Sequence, residues 1–274
     1  MSLNGLMAQA SRIASALTPV LRFVVRGEHP KRVAIAAAYL RFRVRLAVSR
    51  RPPQRISLLG TEIHFTDATT FAFLFREVFI DETYRGCEPP PETIVDCGSN
   101  IGMSILRFKS LWPRSEIKGI EASPEIFAVL RENVKNLHGV TLVNKAIGDR
   151  HGVVLFYSRP DSLIGSTNEL RGGGGGAPVE VAPLSEFISG PVDLLKVDIE
   201  GSEVAAFAEL EASGKMPLIR QIFIEYHHLP GETSSLASFL DRLERHGFTY
   251  ELEATLPNRS ADFQDVLIRA KRTE

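Results

Sequence analysis

Past residue 91 the hydrophobic pattern alternates between two periods. Short apolar runs at Thr93–Cys97, Glu116–Glu121, Val140–Asn144, Asp193–Asp198 and Ile219–Tyr226 read as strands. Between them, apolar residues at helical spacing predict helices over Gly102–Leu111, Pro124–Leu137, Ser202–Gly214 and Ser234–His246. Strand–helix alternation of this kind predicts an α/β fold, a parallel sheet with helices on both faces. The last two runs, Phe248–Glu253 and Phe263–Ala270, flank the turn-rich Leu256-Pro257-Asn258 with no helix between them, so they close the sheet with an antiparallel strand. Between Gly148 and Pro191 lies an insertion with two short strand patterns, Val153–Tyr157 and Val179–Val181.

Upstream the pattern is different. Ile13, Leu17, Val20, Leu21 and Val24, then Val33, Ile35, Ala38, Leu40, Phe42 and Val44, recur at helical spacing. Ile56–Leu59 and Glu62–Phe65 flank Gly60-Thr61 as a hairpin, and Asp67 is placed to cap a helix through Phe71, Leu74, Phe75 and Val78. Pro89-Pro90-Pro91 is a stiff spacer. The chain thus divides into a helical segment (1–55), a hairpin–helix cap region (56–91) and an α/β domain (92–274).

Charge sharpens that division. The 274 residues carry a net charge of −1, but residues 1–55 hold eleven basic side chains against Glu28 alone, a net +10. Four roles compete for this basic segment: a helical cap on the acidic body, a membrane-surface or anionic-partner helix, an organelle transit peptide, and nucleic-acid binding. The last is weakest, because no aromatic platforms interleave with the arginines. No apolar run approaches the roughly 18 residues of a membrane span, and arginines interrupt every candidate secretory core. Two cysteines, Cys87 and Cys97, make no disulfide framework or metal cluster. The expected location is cytoplasmic, with the membrane-surface role kept open.

Candidate chemistry gathers where strands end, the edge at which open α/β sheets bind ligands. Asp96-Cys97-Gly98-Ser99-Asn100-Ile101-Gly102 turns from a strand into a helix and points backbone N–H groups at one spot. No Gly-Lys-Ser/Thr follows, as a P-loop needs, and glycines four apart do not fit G-x-G-x-x-G. The spacing D-x-G-x-x-x-G fits an S-adenosylmethionine (SAM) turn. There Gly98 lets backbone approach the cofactor, Gly102 lets the helix start pack on the strand, and Asp96 steadies the loop amides and the cofactor ammonium. Glu121, ending the second strand beside Ala122, is placed to accept hydrogen bonds from ribose hydroxyls, a role shared with NAD sites. Lys145 and Ala146 follow the third strand where adenine would sit. The fourth strand ends in Asp198-Ile199-Glu200-Gly201-Ser202-Glu203, with Asp198 and Glu200 on one side and Ser202 and Glu203 placed as helix caps. The fifth ends in Glu225-Tyr226-His227-His228. Gly172–Gly176 neither follows a strand nor opens a helix, and reads as a flexible linker or a flap over substrate.

DCGSNIG, LLKVDIEGSE and IEYHH, in this order, resemble the FkbM-type SAM-dependent methyltransferases, as does REVFIDETYRG (Arg76–Gly86). The resemblance covers Phe71 to Phe248 and leaves out the basic segment. It implies a Rossmann-like seven-stranded sheet of order 3-2-1-4-5-7-6 and O-methylation of a hydroxyl on a sugar, glycolipid or polyketide-type acceptor. SAM would then touch Asp96, Gly98, Ser99, Asn100, Gly102, Glu121, Ala122, Lys145, Ala146 and Asp198. Phe79, Tyr84, Ser166 and Thr167 (with Asn168) are expected to wall the acceptor pocket.

An alkyl hydroxyl must lose its proton to attack. Either His227 or Glu200 takes it, among the candidate catalytic residues Asp198, Glu200, Glu225 and His227, or Asp198, Glu225 and His227 hold Mg²⁺ that acidifies it. The metal-free version is preferred, because few carboxylates clearly converge in the sequence. Two rivals remain: a nucleotide-dependent oxidoreductase and a non-catalytic SAM-binding scaffold. A nucleic-acid substrate is not expected, since no N/D-P-P-Y motif occurs and the body is acidic.

Overall fold

A computed structural model of the chain describes residues 16–49, 51–158, 165–166, 173–228, 235–254 and 264–273. Ile13, Thr167, Asn168, Gly172 and the Leu256-Pro257-Asn258 turn lie outside the described residues, as does the side chain of His228. Two helices lead, α1 over residues 16–26 and α2 over Arg32–Val48. Strands β1 (Arg55–Leu58) and β2 (Thr61–His64) form the expected hairpin. Helix α3 (Ala68–Phe75) begins at Asp67, whose carboxylate accepts the Thr70 N–H. The helix then widens into a π turn over Arg76–Ile80.

The α/β domain follows the sequence pattern closely. Its strands are β3 (Thr93–Cys97), β4 (Glu116–Glu121), β5 (Val140–Asn144), β10 (Val192–Val197), β11 (Ile219–His228), β12 (Phe248–Ala254) and β13 (Gln264–Arg272). They form one sheet in the order β12-β13-β11-β10-β3-β4-β5. β13 runs antiparallel to both neighbours, and the pairs joining β11, β10, β3, β4 and β5 are parallel. This is the Rossmann-like methyltransferase order 3-2-1-4-5-7-6 with an antiparallel last strand. Helices α4 (Met103–Leu111), α5 (Pro124–Val134), α6 (Glu203–Ala212) and α7 (Leu236–Arg245) cover it.

Period-two alternation sorts side chains between the two faces. Val95, Cys97, Leu195, Val197, Ile222, Ile224, Tyr226, Val266 and Ile268 pack in one core with Phe207 of α6 and Phe239 of α7. Ile94, Leu194 and Phe223 pack in the other, with α3, α4 and α5. The polar residues at alternate positions, Asp96, Lys196, Asp198, Glu225, His227 and Asp265, therefore share the second face near the carboxyl edge. The leading helices belong to this second core: Val20, Phe23, Ile35, Tyr39 and Phe42 pack with Phe65, Phe71 and Phe75. A polar latch joins them to the body. The Glu82 carboxylate accepts the Glu28 N–H at 3.1 Å and the His29 N–H at 3.3 Å, and pairs with the buried Arg107 at 3.3 Å.

The insertion is a second sheet of β6 (Ala146–Gly148), β7 (Gly152–Ser158), β8 (Gly165–Ser166) and β9 (Gly175–Pro183), in the order β6-β9-β7-β8. It corrects the linker reading of the glycine run. Gly175 and Gly176 open β9, opposite Ser158 and Tyr157 of β7. A Cβ on Gly176 would lie 2.9 Å from the Tyr157 ring, so glycine there makes room for an aromatic neighbour.

Candidate functional site

The turn after β3 is held from three sides. Gly98 and Ser99 donate their N–H groups to the Ile120 carbonyl of β4, both at 2.9 Å. Ser99 Oγ donates to the Asp96 carbonyl at 2.9 Å. Lys196 Nζ, buried under the turn, donates to the carbonyls of Gly98 at 2.5 Å and Cys97 at 3.2 Å. Gly98 has φ +77°, and a Cβ there would sit 1.8 Å from the Asp198 carbonyl oxygen. The backbone of the neighbouring strand end by itself demands glycine at this position. Gly102, at φ +92°, packs against Leu130 and Val134 of α5, not against a strand.

Asp96 is fully buried. Its Oδ2 accepts from Ser104 Oγ at 2.6 Å, and its Oδ1 lies 3.2 Å from Lys196 Nζ. It faces the inside of the turn, beside the Lys196 ammonium. Lys196 also lies 3.6 Å from Asp198 and under the Tyr84 ring at 5.7 Å. Burial opposes its charge, but Asp96 and Asp198 overcome this and raise its pKa.

Two cavities open from this turn. The first is lined by Gly98, Asn100, Glu121, Ala122, Lys145 and Ala146, all expected from the sequence, and by Asp198 and Glu200. Ile120, Ile126, Ile147, Phe156, Gly165, Ile199 and Ser202 complete it, and of these only Ser202 was given a role from the sequence, as a helix cap. Glu121 is buried there. Its Oε2 accepts the Asn100 N–H at 2.9 Å and its Oε1 the Ser123 N–H at 2.8 Å, so it braces the turn as well as lining the cavity. Burial raises its pKa despite those bonds.

The second cavity is lined by Phe73, Leu74, Glu77, Val78 and Tyr84 from the cap region and by Lys196, Glu225 and Asp265 from the sheet edge. It shares Gly98, Asn100, Asp198 and Glu200 with the first. Tyr84 is where the sequence reading put it. Phe79 is not: it is fully buried, edge-on to Phe75 and near His29, and lines neither of the two cavities. Ser166 is also placed differently, since its Oγ donates to the Glu200 carbonyl at 2.5 Å and ties the insertion to the turn after β10.

That turn concentrates charge. Glu200 has φ +56° and Gly201 φ +109°, a reversal rare for a non-glycine residue and one that brings Glu200 back beside His227. Ser202 forms no side-chain cap. Glu203, expected as a cap, is buried, and its Oε1 takes His227 Nδ1 at 2.9 Å together with the N–H groups of Gly201 and Ile199. His227 Nε2 faces Glu200 and Glu225 at 3.6 Å each, Asp198 at 3.8 Å and Asp265 at 3.9 Å. Burial opposes a charge on His227, but Glu203 and the acids facing it lift its pKa well above the usual value. Burial and the charge of Glu225 push Asp198 up to about 8. Burial, then Glu225 and Asp198, push Glu77 up to about 9.

Asp265, Glu77 and Lys196 were missed in the sequence. Asp265 enters because it is the cross-strand partner of His227 in the β11–β13 pair. Four carboxylates therefore face one imidazole, which removes the stated ground for preferring a metal-free site.

Residues 96–250 match the family described as Methyltransferase FkbM domain. The chain is 29% identical over 232 residues to the 31-O-demethyl-FK506 methyltransferase FkbM of Streptomyces tacrolimicus, covering 71% of this chain and 88% of that protein. It is 28% identical over 206 residues to the 2-O-methyltransferase NoeI of Sinorhizobium fredii, covering 66% and 81%. Among solved structures, methyltransferase FkbM from Methylobacillus flagellatus aligns with a TM-score of 0.46 at 15% identity, over 74% of this chain and 54% of that one.

Proposed function

The chain belongs to the Methyltransferase FkbM domain family and is a SAM-dependent methyltransferase, and from that premise we propose that it methylates a hydroxyl of a small molecule or glycan. Both named relatives are, by their names, O-methyltransferases, one of 31-O-demethyl-FK506 and one a 2-O-methyltransferase. The observation that carries the reading is the wall shared by the two cavities, Gly98, Asn100, Asp198 and Glu200. In-line transfer needs donor and acceptor on opposite sides of one opening, and this wall supplies it.

The first cavity is assigned to the cofactor. Glu121 offers carboxylate lone pairs suited to a ribose diol, while Ile126, Ile147 and Phe156 make an apolar slot for a flat base. When bound, SAM supplies an electrophilic methyl group on a sulfonium. The chain's residues do the rest. Tyr84, Phe73 and Leu74 flank the acceptor and exclude water. Asp198 and Glu200, touching both cavities, are assigned to orient the hydroxyl and take up its proton. His227 is assigned a positioning role behind them, because Glu203 and its ring of acids hold it as a cation or a ligand rather than a free base. Ser166 is assigned to fix the Glu200 turn rather than to touch substrate.

The basic segment is assigned to the rim of an anionic surface. Leu17, Leu21 and Val25 form an exposed stripe along α1, and Val33, Val44 and Val48 are exposed on α2, with Arg22, Arg26, Arg41 and Arg45 exposed beside them. No helix among the described residues is long and apolar enough to cross a membrane.

The test is calorimetric titration of SAM, S-adenosylhomocysteine and NAD⁺, followed by a screen of hydroxyl acceptors with labelled SAM. Binding of the first two and methylation of a hydroxyl acceptor is expected. Binding of NAD⁺ alone, or methyl transfer only to amines, would overturn the reading.

A further inference from the structure

We infer that the acceptor cleft binds one hard divalent cation, of the Mg²⁺/Mn²⁺ class, between His227 Nε2 and the carboxylates of Asp198, Glu200, Glu225 and Asp265. The inference rests on reading that cleft as the acceptor site, but the binding itself is read without methylation.

The first observation is convergence. Asp198, Glu200 and His227 bring their ligand atoms within 4.8 Å of one another, and so do Glu225, His227 and Asp265. The imidazole is common to both groups. The strand pattern makes this cluster rigid: Glu225 and His227 share a face of β11, and Asp265 sits directly across from His227 on β13.

The second observation is the imidazole. His227 is more than nine-tenths buried, and its Nε2 has no hydrogen-bond partner. Buried polar atoms are paired in the great majority of cases, so an orphan facing four carboxylates that all line the second cavity calls for a ligand. Its Nδ1 donates to the buried Glu203 carboxylate, which fixes the ring's orientation and points Nε2 at the four carboxylates, where a metal ion would replace the Nε2 proton. A carboxylate behind a histidine is the usual support of a metal-binding imidazole. Glu203 is itself anchored by the Gly201 and Ile199 amides, so the ring cannot swing.

Spacing supplies the third observation. The carboxylate oxygens stand 3.6 to 3.9 Å from Nε2. That is too far for hydrogen bonds. Ligands on one octahedral ion with bonds of roughly 2.1 Å stand about 3 Å apart when adjacent and about 4 Å apart when opposite. The observed spacings lie between these two values, so each carboxylate need close by only about 1 Å or less to share an ion with Nε2. Lys196 does not neutralise the cluster alone, since it is shared with Asp96 and two carbonyls. The donor set decides the class of ion. Carboxylates dominate, and neither cysteine belongs to the cluster, so a hard cation is selected over a thiophilic one. Held there, the ion would bind the acceptor oxygen and make its proton easier to remove.

The experiment uses the full chain, stripped with EDTA and desalted, titrated with MnCl₂ while the free Mn²⁺ signal is read by electron paramagnetic resonance. One Mn²⁺ bound per chain, displaced by excess Mg²⁺, is expected. D265N and E225Q should each weaken binding at least tenfold; Asp265 is half-exposed, so D265N keeps the test sound if replacement of His227 unfolds the protein. S-adenosylhomocysteine binding by the same samples checks the fold and the cofactor reading separately. Protein that binds the homocysteine but no Mn²⁺ up to about 1 mM, or Mn²⁺ binding unchanged in both variants, would overturn the site. Mn²⁺ binding without homocysteine binding would keep the cation site and sink the methyltransferase reading of the cleft.

Discussion

The Asp198 carbonyl occupies the space where a side chain on Gly98 would begin: an ideal Cβ there would lie 1.8 Å from the oxygen. The two cavities meet at this contact. Gly98→Ala must therefore push β3 and β10 apart at their carboxyl ends, and must also hold a left-handed φ. Overpacking and φ strain together predict a loss of about 2–4 kcal/mol. Gly201→Ala is the matched control, with φ +109° but nothing within 4 Å, and should cost only the strain, about 1 kcal/mol. Urea denaturation of both variants checks the difference. Equal losses would show that the Asp198 contact relaxes freely.

Lys196→Met tests the charge beneath the turn. The ammonium pairs with Asp96 at 3.2 Å and donates to the Gly98 carbonyl. Removing one partner of a buried pair leaves the other charge uncompensated, typically at 3–5 kcal/mol. Lys196→Met should destabilise by about that much, and Lys196→Met with Asp96→Asn by less than the sum of the single changes. A double-mutant cycle by denaturant unfolding measures the coupling. Additive losses would mean that the pair contributes nothing specific.

Much of this architecture was legible in the chain, and the gaps have physical causes. β3 falls where an apolar run ends at turn residues, because a strand buried on both faces carries its own boundary signal. Glu121 and Asp198 were legible because the edge at which a parallel strand ends is set by chain direction alone. Asp265 was not, since only pairing with β11 brings it to His227, and that register is a long-range property. Lys196 reads as a polar break in an apolar strand until Asp96 appears beside it on β3. Phe79 misled because an aromatic near a glycine-rich entrance fits a pocket wall as well as a core, and the π turn directs it inward. The glycine run had no local signal for β9, because glycine carries no strand propensity of its own.

Glu121→Gln and Glu121→Ala separate bracing from ligand binding. Both oxygens of Glu121 accept backbone N–H groups, from Asn100 and Ser123. Gln keeps the size and one acceptor but loses the charge. A hydrogen bond to a charged group is worth about 1.5–3 kcal/mol. S-adenosylhomocysteine affinity should therefore fall roughly tenfold to a hundredfold in Glu121→Gln, with thermal stability lowered further in Glu121→Ala. Calorimetry and thermal melts read the two effects apart. Unchanged affinity in Glu121→Ala would remove the carboxylate from the cofactor cavity's function.

His29 gives the leading helices a pH dependence of their own. It is fully buried at the junction with α4. Its Nδ1 accepts the Lys31 N–H at 3.0 Å, which requires that nitrogen to be bare. Its Nε2 then carries the proton and donates to Ser110 Oγ at 2.8 Å, while Ser110 donates onward to the Arg107 carbonyl. Burial, then the charges of Arg107 and Lys31, lower its pKa to about 4. The unfolded chain takes up this proton near pH 6.5, and the folded chain only near pH 4. Stability from His29 is complete above pH 6.5 and is lost as pH falls through that window, about 3 kcal/mol in all. In His29→Asn, where the amide oxygen replaces Nδ1 as acceptor, unfolding free energy should fall less steeply between pH 6.5 and 4 than in the parent. Parallel slopes in the two proteins would mean that His29 protonates freely in the folded state, and that its chain of hydrogen bonds does not hold it neutral.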